Sequence, residues 1–241
     1  MTNPSTETES EQALSEPLDA WSAKLVRKPL ANAQVDVICI STVTESSTAE
    51  NSSGVETIRR KGRLGSVIGL HLDETTEIGP AIQSAISRLS SPLVVFTDSH
   101  SEWNRDIIDR LLKAINSSDL AIGARPAQSL ASKYNRTIAA TLRGWFWGAG
   151  VLDPLSPYKI ARSEFLKKFP LQSKSHFAEV EIIAKCNFLD ALIHEEILPA
   201  APAWIAPNYS RRAGSDKRTL FQNPHFKIQS PEHEPSHGLE S

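Results

Sequence analysis

Between residues 35 and 123, short apolar runs rich in β-branched residues alternate with stretches of helical periodicity. Val35-Asp36-Val37-Ile38-Cys39-Ile40, Ser66-Val67-Ile68-Gly69-Leu70, LVVFT at 93–97 and DLAIG at 119–123 have the length and side chains of strands. Ile78, Ala81, Ile82, Ala85, Ile86 and Leu89 recur at helical spacing between the second and third of these. Ile107, Ile108, Leu111, Leu112 and Ile115 do so between the third and fourth. Strand-helix-strand-helix order predicts an α/β fold built on a mainly parallel sheet flanked by helices. Ahead of it, Leu14, Leu18, Trp21 and Leu25 predict a helix over 14–27 that stops before Pro29. The Ser/Thr/Glu-rich stretch 41–53 reads as a loop. Beyond residue 160, helices over 163–168 and 177–187 are expected beside a strand at 191–198, and no internal repeat is evident.

A chain of 241 residues can bury a sizeable core. One domain is expected over 13–228, with disordered polar tails at 1–12 and 229–241. A formal net charge of -2 gives no electrostatic case for nucleic acid as a partner. Cys39 and Cys186 both fall in apolar-periodic segments, which predicts buried thiols rather than a disulfide. No apolar run is long enough to span a bilayer, and MTNPSTETESEQ has no signal-peptide core. The expected location is cytoplasmic.

The apolar run at 93–97 stops abruptly at Asp98-Ser99-His100, just ahead of a helical pattern. Ligands of open α/β sheets bind at the carboxyl ends of the strands. Two residues apart in an extended backbone, Asp98 and His100 would point the same way and could hold a divalent cation. The alternative is a plain turn in which Asp98 or Ser101 caps the helix.

Four stretches in register carry a family resemblance. They are IGPAIQSAISRLSSPLVVFTDSH, AIGAR ending at Arg125, DPLSPYKIARSEFLKKFPLQSKSHFAEVEIIAK from Asp153, and Arg211-Arg212-Ala213-Gly214-Ser215-Asp216-Lys217. Over about 140 residues this resembles family 2 glycosyltransferases with the glycosyltransferase-A fold, particularly dolichol- and polyprenyl-phosphate sugar synthases. His100 stands where that family has the second Asp of an Asp-x-Asp metal motif, and Asp-x-His is similar to the segment of polypeptide N-acetylgalactosaminyltransferases. The family's first strand, whose turn holds the nucleotide base, has no counterpart before 14–27 and is expected to be missing. The Asp-Asp-Gly-Ser that should end the next strand is replaced by Ser41-Thr42-Val43-Thr44-Glu45-Ser46-Ser47.

The resemblance implies metal-dependent sugar transfer from a nucleotide sugar to a polyprenyl phosphate or other acceptor, by inversion. Mn²⁺ or Mg²⁺ would be held by Asp98 and His100, since imidazole and carboxylate both suit such ions. Arg211 and Lys217 would bind diphosphate or lipid phosphate, with Gly214 letting the loop close on its ligand. Arg125 and Ser156 would touch substrate. A phosphate acceptor needs no general base; a hydroxyl acceptor does, and Asp153 ranks ahead of Glu179 and Glu181 for that role. The segment 133–148 mixes Lys133, Arg136 and Arg143 with Trp145, Phe146 and Trp147. It suits either a peripheral contact at the inner membrane face or core packing. The function from another class is a non-catalytic homologue that binds a partner through the retained surface.

Overall fold

The computed structural model describes residues 30, 32–42, 52–72, 76–98, 101–127, 129–198 and 216. The helix expected over 14–27, both tails, residues 43–51 of the expected loop, and the site candidates His100, Arg211, Gly214 and Lys217 lie outside the described residues.

Among the described residues, twelve elements follow in chain order. They are β1 (Val35–Thr42), α1 (Ser53–Arg60), β2 (Leu64–Leu72), α2 (Ile78–Ser87), β3 (Leu93–Asp98), α3 (Arg105–Ala114), β4 (Leu120–Ala124), α4 (Leu130–Trp147), β5 (Lys159–Arg162), α5 (Ser163–Leu166), α6 (Phe177–Phe188) and β6 (Ile193–Ile197). The strands form one six-stranded sheet in the order β2-β1-β3-β5-β4-β6. Pairs β1–β2, β1–β3 and β4–β6 are parallel, whereas β5 runs antiparallel to both β3 and β4. The sheet is thus mainly parallel, as expected, with the single antiparallel strand β5 at its centre.

Strand β5 and helix α1 were not expected from the sequence, both for physical reasons. Strand β5 is only KIAR, and two of its four residues are buried cations. Arg162 is satisfied by the backbone carbonyls of Ser118 and Ile115, and Lys159 by the carbonyl of Ser156 and the Glu179 carboxylate. Helix α1 is amphipathic over a single short face, Val55 and Ile58, and is started by Ser52, whose Oγ accepts from Val55 N at 3.3 Å.

Side chains alternate across the sheet and feed two cores. Val35, Val37, Leu93 and Val95 pack under α1 and α3 with Ile58, Ile107, Ile108 and Leu111. Ile38, Val94, Phe96 and Ile122 pack on the other face against α2 and α6. Asp36 interrupts β1 yet is fully buried, because its carboxylate accepts from the backbone N–H of Ser66, Ser90 and Ser91 and from Ser91 Oγ. Burial pushes its pKa up, the four donors outweigh it, and the group settles at about 2. Cys39 and Cys186 are buried free thiols.

The order β2-β1-β3 fixes where a ligand can enter. The chain leaves β1 for β2 on one side, then crosses back through α2 to β3 on the other, so the crevice between the carboxyl ends of β1 and β3 is a topological switch point. Residues 1–29 lie outside the described residues, and among those described β1 fills the inner position beside β3.

Candidate active site

Parallel strands β1, β3 and β4 end at one edge of the sheet, at Thr42, Asp98 and Ala124. Antiparallel β5 begins there, which brings residues 153–158 to the same edge, and α6 starts there with His176 as its N-cap. The switch-point crevice therefore faces loops from several parts of the chain.

Asp98 is the last residue of β3, and the chain turns there. Its Oδ1 accepts from Ser101 N at 2.5 Å, and Ser101 Oγ lies 2.8 Å from Thr97 Oγ1 and accepts from Trp103 Nε1 at 3.2 Å. Helix α3 is capped instead by Asn104, which accepts from Ile107 N at 2.9 Å, so neither Asp98 nor Ser101 serves as its cap. Strand β3 ends at Asp98, and Ser99 and His100 lie outside the described residues. Burial, helped by the charges of Asp98 and Glu102, pushes the nearby Tyr158 hydroxyl up to about 12. Burial supplies the larger part of that shift; the carboxylates of Asp98 and Glu102 add the rest, and carboxylates at a strand end suit a cation. Among the described residues, no group of three His, Cys, Asp or Glu is arranged to hold a metal.

The structure brings Arg125 and Asp153 together in a closed pair. Arg125 Nε and Nη2 reach the two carboxylate oxygens at 2.6 and 2.7 Å, and the Arg125 N–H reaches Oδ2 at 3.2 Å. Arg136 adds a guanidinium at 3.8 Å. From below, Glu195 accepts from the backbone N–H of Leu152 and Asp153, each at 2.8 Å. Burial would raise the Asp153 carboxyl, but Arg125 overrides it and holds the group below the usual carboxylate range. A buried, bidentate carboxylate of depressed pKa is a poor proton acceptor at neutral pH, so the geometry gives Asp153 an orienting character. Ser156 is likewise committed: it is fully buried, and its Oγ donates to Gly123 O at 2.5 Å while accepting from Tyr158 N at 3.2 Å.

The two glutamates of α6 differ sharply. Glu181 is fully buried, accepts from Gln172 N and Ser173 N at 2.8 Å each, and pairs with Lys185 at 2.6 Å. That network braces the loop ahead of α6. Glu179 instead lines a cavity of about 50 Å³ at the strand edge, together with Asp98, Ser156, Lys159 and His176. Buried Lys159 Nζ donates to Glu179 Oε2 and to Ser156 O, both at 2.5 Å. His176 Nδ1 lies 4.0 Å from the other oxygen, Oε1. Lys159 and His176 were not singled out from sequence; the signal for His176 was its place directly before the helical pattern of FAEVEII.

Asp216 is the one described residue of the Arg211–Lys217 motif, and it is buried. Its Oδ2 accepts from the backbone N–H of Lys174 and Ser175 and from Ser175 Oγ, at 3.2, 2.9 and 2.5 Å. Asp216 is thereby tied to the residue immediately before His176. A larger open groove, about 940 Å³, lies between α1 and α3 and includes Arg60, Lys61, Arg105 and Asp109. None of Asp98, Arg125, Asp153 or His176 lines it, so its size does not make it the reacting site.

Helix α4 contradicts half of what 133–148 predicted. Leu130, Tyr134, Ile138, Leu142, Trp145 and Phe146 are exposed along one stripe, and only Ala140 is buried. Packing of 133–148 as core is therefore excluded for all but the end of the helix, where Trp147 packs against Phe177. The stripe is apolar rather than basic, because Arg136 and Arg143 turn inward to the carbonyls of Arg125 and Val151. No helix among the described residues is long and apolar enough to cross a membrane.

A mixed six-stranded sheet flanked by helices, with its crevice beside β3, is the glycosyltransferase-A type of fold found in nucleotide-sugar transferases. Solved structures of glucosyl-3-phosphoglycerate synthase from Mycobacterium tuberculosis are similar to this chain. The form with Mn²⁺, uridine diphosphate and glucosyl-3-phosphoglycerate gives a TM-score of 0.58 at 18% identity, covering 84% of this chain and 83% of that one. The form with Mn²⁺ and uridine-diphosphate-glucose gives 0.56 at 17% identity, covering 84% and 82%. The form with Mg²⁺ and uridine diphosphate gives 0.57 at 16% identity, covering 84% and 83%. Identity at this level is a likeness of fold. No protein-family model and no curated protein matches the sequence.

Proposed function

We propose that this chain is a metal-dependent glycosyltransferase that takes its sugar from a nucleotide sugar and binds the donor's diphosphate at the carboxyl end of β3. The observation that carries this reading is the placement of Asp98 at the switch point of a glycosyltransferase-A sheet. Asp98, with His100, would hold Mn²⁺ or Mg²⁺, the ions held by the similar solved structures. A bound divalent ion neutralises the leaving diphosphate. Arg211 and Lys217 would add cationic contacts to the phosphates, and Gly214 would let that loop approach. The tether of Asp216 beside His176 supports placing the loop at the rim of the crevice. Arg125, held rigid by Asp153, would orient substrate rather than move protons.

The acceptor of this reading is a polyprenyl phosphate or another nucleophile. The exposed apolar stripe of α4 supports a peripheral contact through 133–148, resting on apolar area because two of its three cations are turned inward. A second reading, a non-catalytic homologue that binds through the same surface, is favoured by the closed Arg125–Asp153 pair, which leaves the ranked base engaged. Calorimetric titration of uridine diphosphate and uridine-diphosphate-glucose, with Mn²⁺ and with chelator, tests the donor site, and turnover of the nucleotide sugar separates the two. Transferase character requires Mn²⁺-dependent binding that Asp98→Ala removes. Equal affinity with and without metal would sink it.

A further inference from the structure

Three carboxylates at the strand edge are candidates to take a proton from an acceptor, and their surroundings sort them. Asp153 is closed by Arg125 and Glu181 by Lys185 and two backbone N–H groups. Only Glu179 faces a cavity, and it does so beside a histidine. The imidazole carries an unspent atom: among the described residues, His176 Nδ1 is buried and makes no hydrogen bond. A buried ring nitrogen without a partner is costly and calls for an explanation.

The geometry supplies one. Ser156 O holds Lys159 Nζ, Lys159 Nζ holds Glu179 Oε2, and Glu179 Oε1 stands 4.0 Å from His176 Nδ1. A carboxylate behind one ring nitrogen selects the tautomer in which that nitrogen carries the proton, leaving the other as an acceptor. Bonds of this sort are long in ligand-free sites and tighten when substrate arrives. The groups facing His176 are Glu179 on its own helix, Lys159 from β5 and Asp98 from β3 across the cavity, with Asp216 one residue away through Ser175. Burial holds the imidazole below its ordinary pKa against the pull of Glu179, and it sits at the N-terminus of α6, where the helix dipole works the same way. The ring is therefore neutral at pH 7. The cavity, about 50 Å³, has room for a few water-sized groups.

We propose that His176, oriented by Glu179 and Lys159, is the proton-accepting group of this site, and that the acceptor is an alcohol rather than a lipid phosphate. The inference rests on the glycosyltransferase reading given above. In the step, the acceptor oxygen forms a bond to the anomeric carbon as the bond from that carbon to the donor phosphate breaks. The bonding pair leaves with the nucleoside diphosphate, and the hydroxyl proton passes to the unprotonated ring nitrogen of His176. A phosphate acceptor is already ionised and has no use for such a base.

The test uses the full chain with Mn²⁺ and uridine-diphosphate-glucose, offered either glycerol and 3-phosphoglycerate or a short polyprenyl phosphate. Transfer to an alcohol is expected, with kcat falling about 100-fold or more in His176→Gln and KM for the donor unchanged. Free imidazole should restore activity to His176→Gly. Wild-type kcat/KM should fall on the acid side with a midpoint below 6.5, and this profile serves as the test even if the variants fail to fold. Transfer to the polyprenyl phosphate alone, unaltered kcat in folded His176→Gln, or a flat profile from pH 5 to 7 each overturns the proposal. Binding of uridine diphosphate and Mn²⁺ without transfer to any alcohol overturns it while sparing the donor site. Failure of both ligands to bind overturns the underlying reading, and this one with it.

Discussion

Two ion pairs stand at the same edge of the sheet and have opposite characters. In the Arg125–Asp153 pair, both carboxylate oxygens are filled by the guanidinium, the backbone beneath is pinned by Glu195, and Arg136 stands behind. In the Lys159–Glu179 pair, one oxygen is filled and the other has only His176 Nδ1, at 4.0 Å. The first is complete without a ligand, so its energy goes into holding β4 to the loop before β5. The second is incomplete among the described residues and opens onto a cavity. Carboxylate identity cannot separate the two; the count of filled lone pairs does.

Breaking the closed pair should produce the largest effect. Arg125→Ala leaves the buried Asp153 without its bidentate partner and with only the more distant Arg136 guanidinium, and breaking a buried pair costs about 3–5 kcal/mol. Denaturant unfolding should show that loss in the midpoint. Glu179→Gln should cost less, about 1–2 kcal/mol, because the amide oxygen still accepts from Lys159, which keeps the Ser156 carbonyl. Equal losses for the two variants would erase the distinction between them.

The acid limb of stability sharpens the same contrast. The folded-state pKa of Asp153 is lowered, so its contribution is fully present above the ordinary value of 3.8 and fades as pH falls through the folded value. Asp36, at about 2, behaves alike and adds roughly 2 kcal/mol over the same window. Removing Arg125 should raise the Asp153 pKa and move that part of the acid limb upward. An acid limb of the same position in wild type and Arg125→Ala, followed by tryptophan fluorescence, would show that Arg125 does not hold the carboxylate.

The contrast also explains what could be read from the sequence. Strands β1 to β4 and helices α2, α3 and α6 were legible because each buries a periodic apolar face. Asp98 was legible because it ends such a run. Strand β5 was hidden because its burial is bought with cations, and a buried Lys looks like a surface Lys until its carboxylate is found. The different surroundings of Asp153 and Glu179 were hidden for the same reason: the partners of both lie 20 residues or more away in the chain. The inward turn of Arg136 and Arg143 was equally invisible, since helical spacing gives no direction without the carbonyls that receive them.

The smallest effect belongs to the open pair and runs in the same direction, with stability rising as pH rises. The pKa of His176 is lowered in the folded state by burial, and Glu179 pulls it back up. Between the folded value and the ordinary 6.5, the unfolded chain binds more protons, so stability rises with pH through that window and is complete above it. The effect is modest because the side chain keeps 22% of its exposure and can hydrate when charged. Histidine ring resonances followed by NMR should place the His176 midpoint below 6.5. Glu179→Gln removes the charge that favours the imidazolium, so the midpoint should fall further in that variant. A midpoint that rises, or stays where it was, would mean that Glu179 does not act on His176, and the pair would then be as closed as the other.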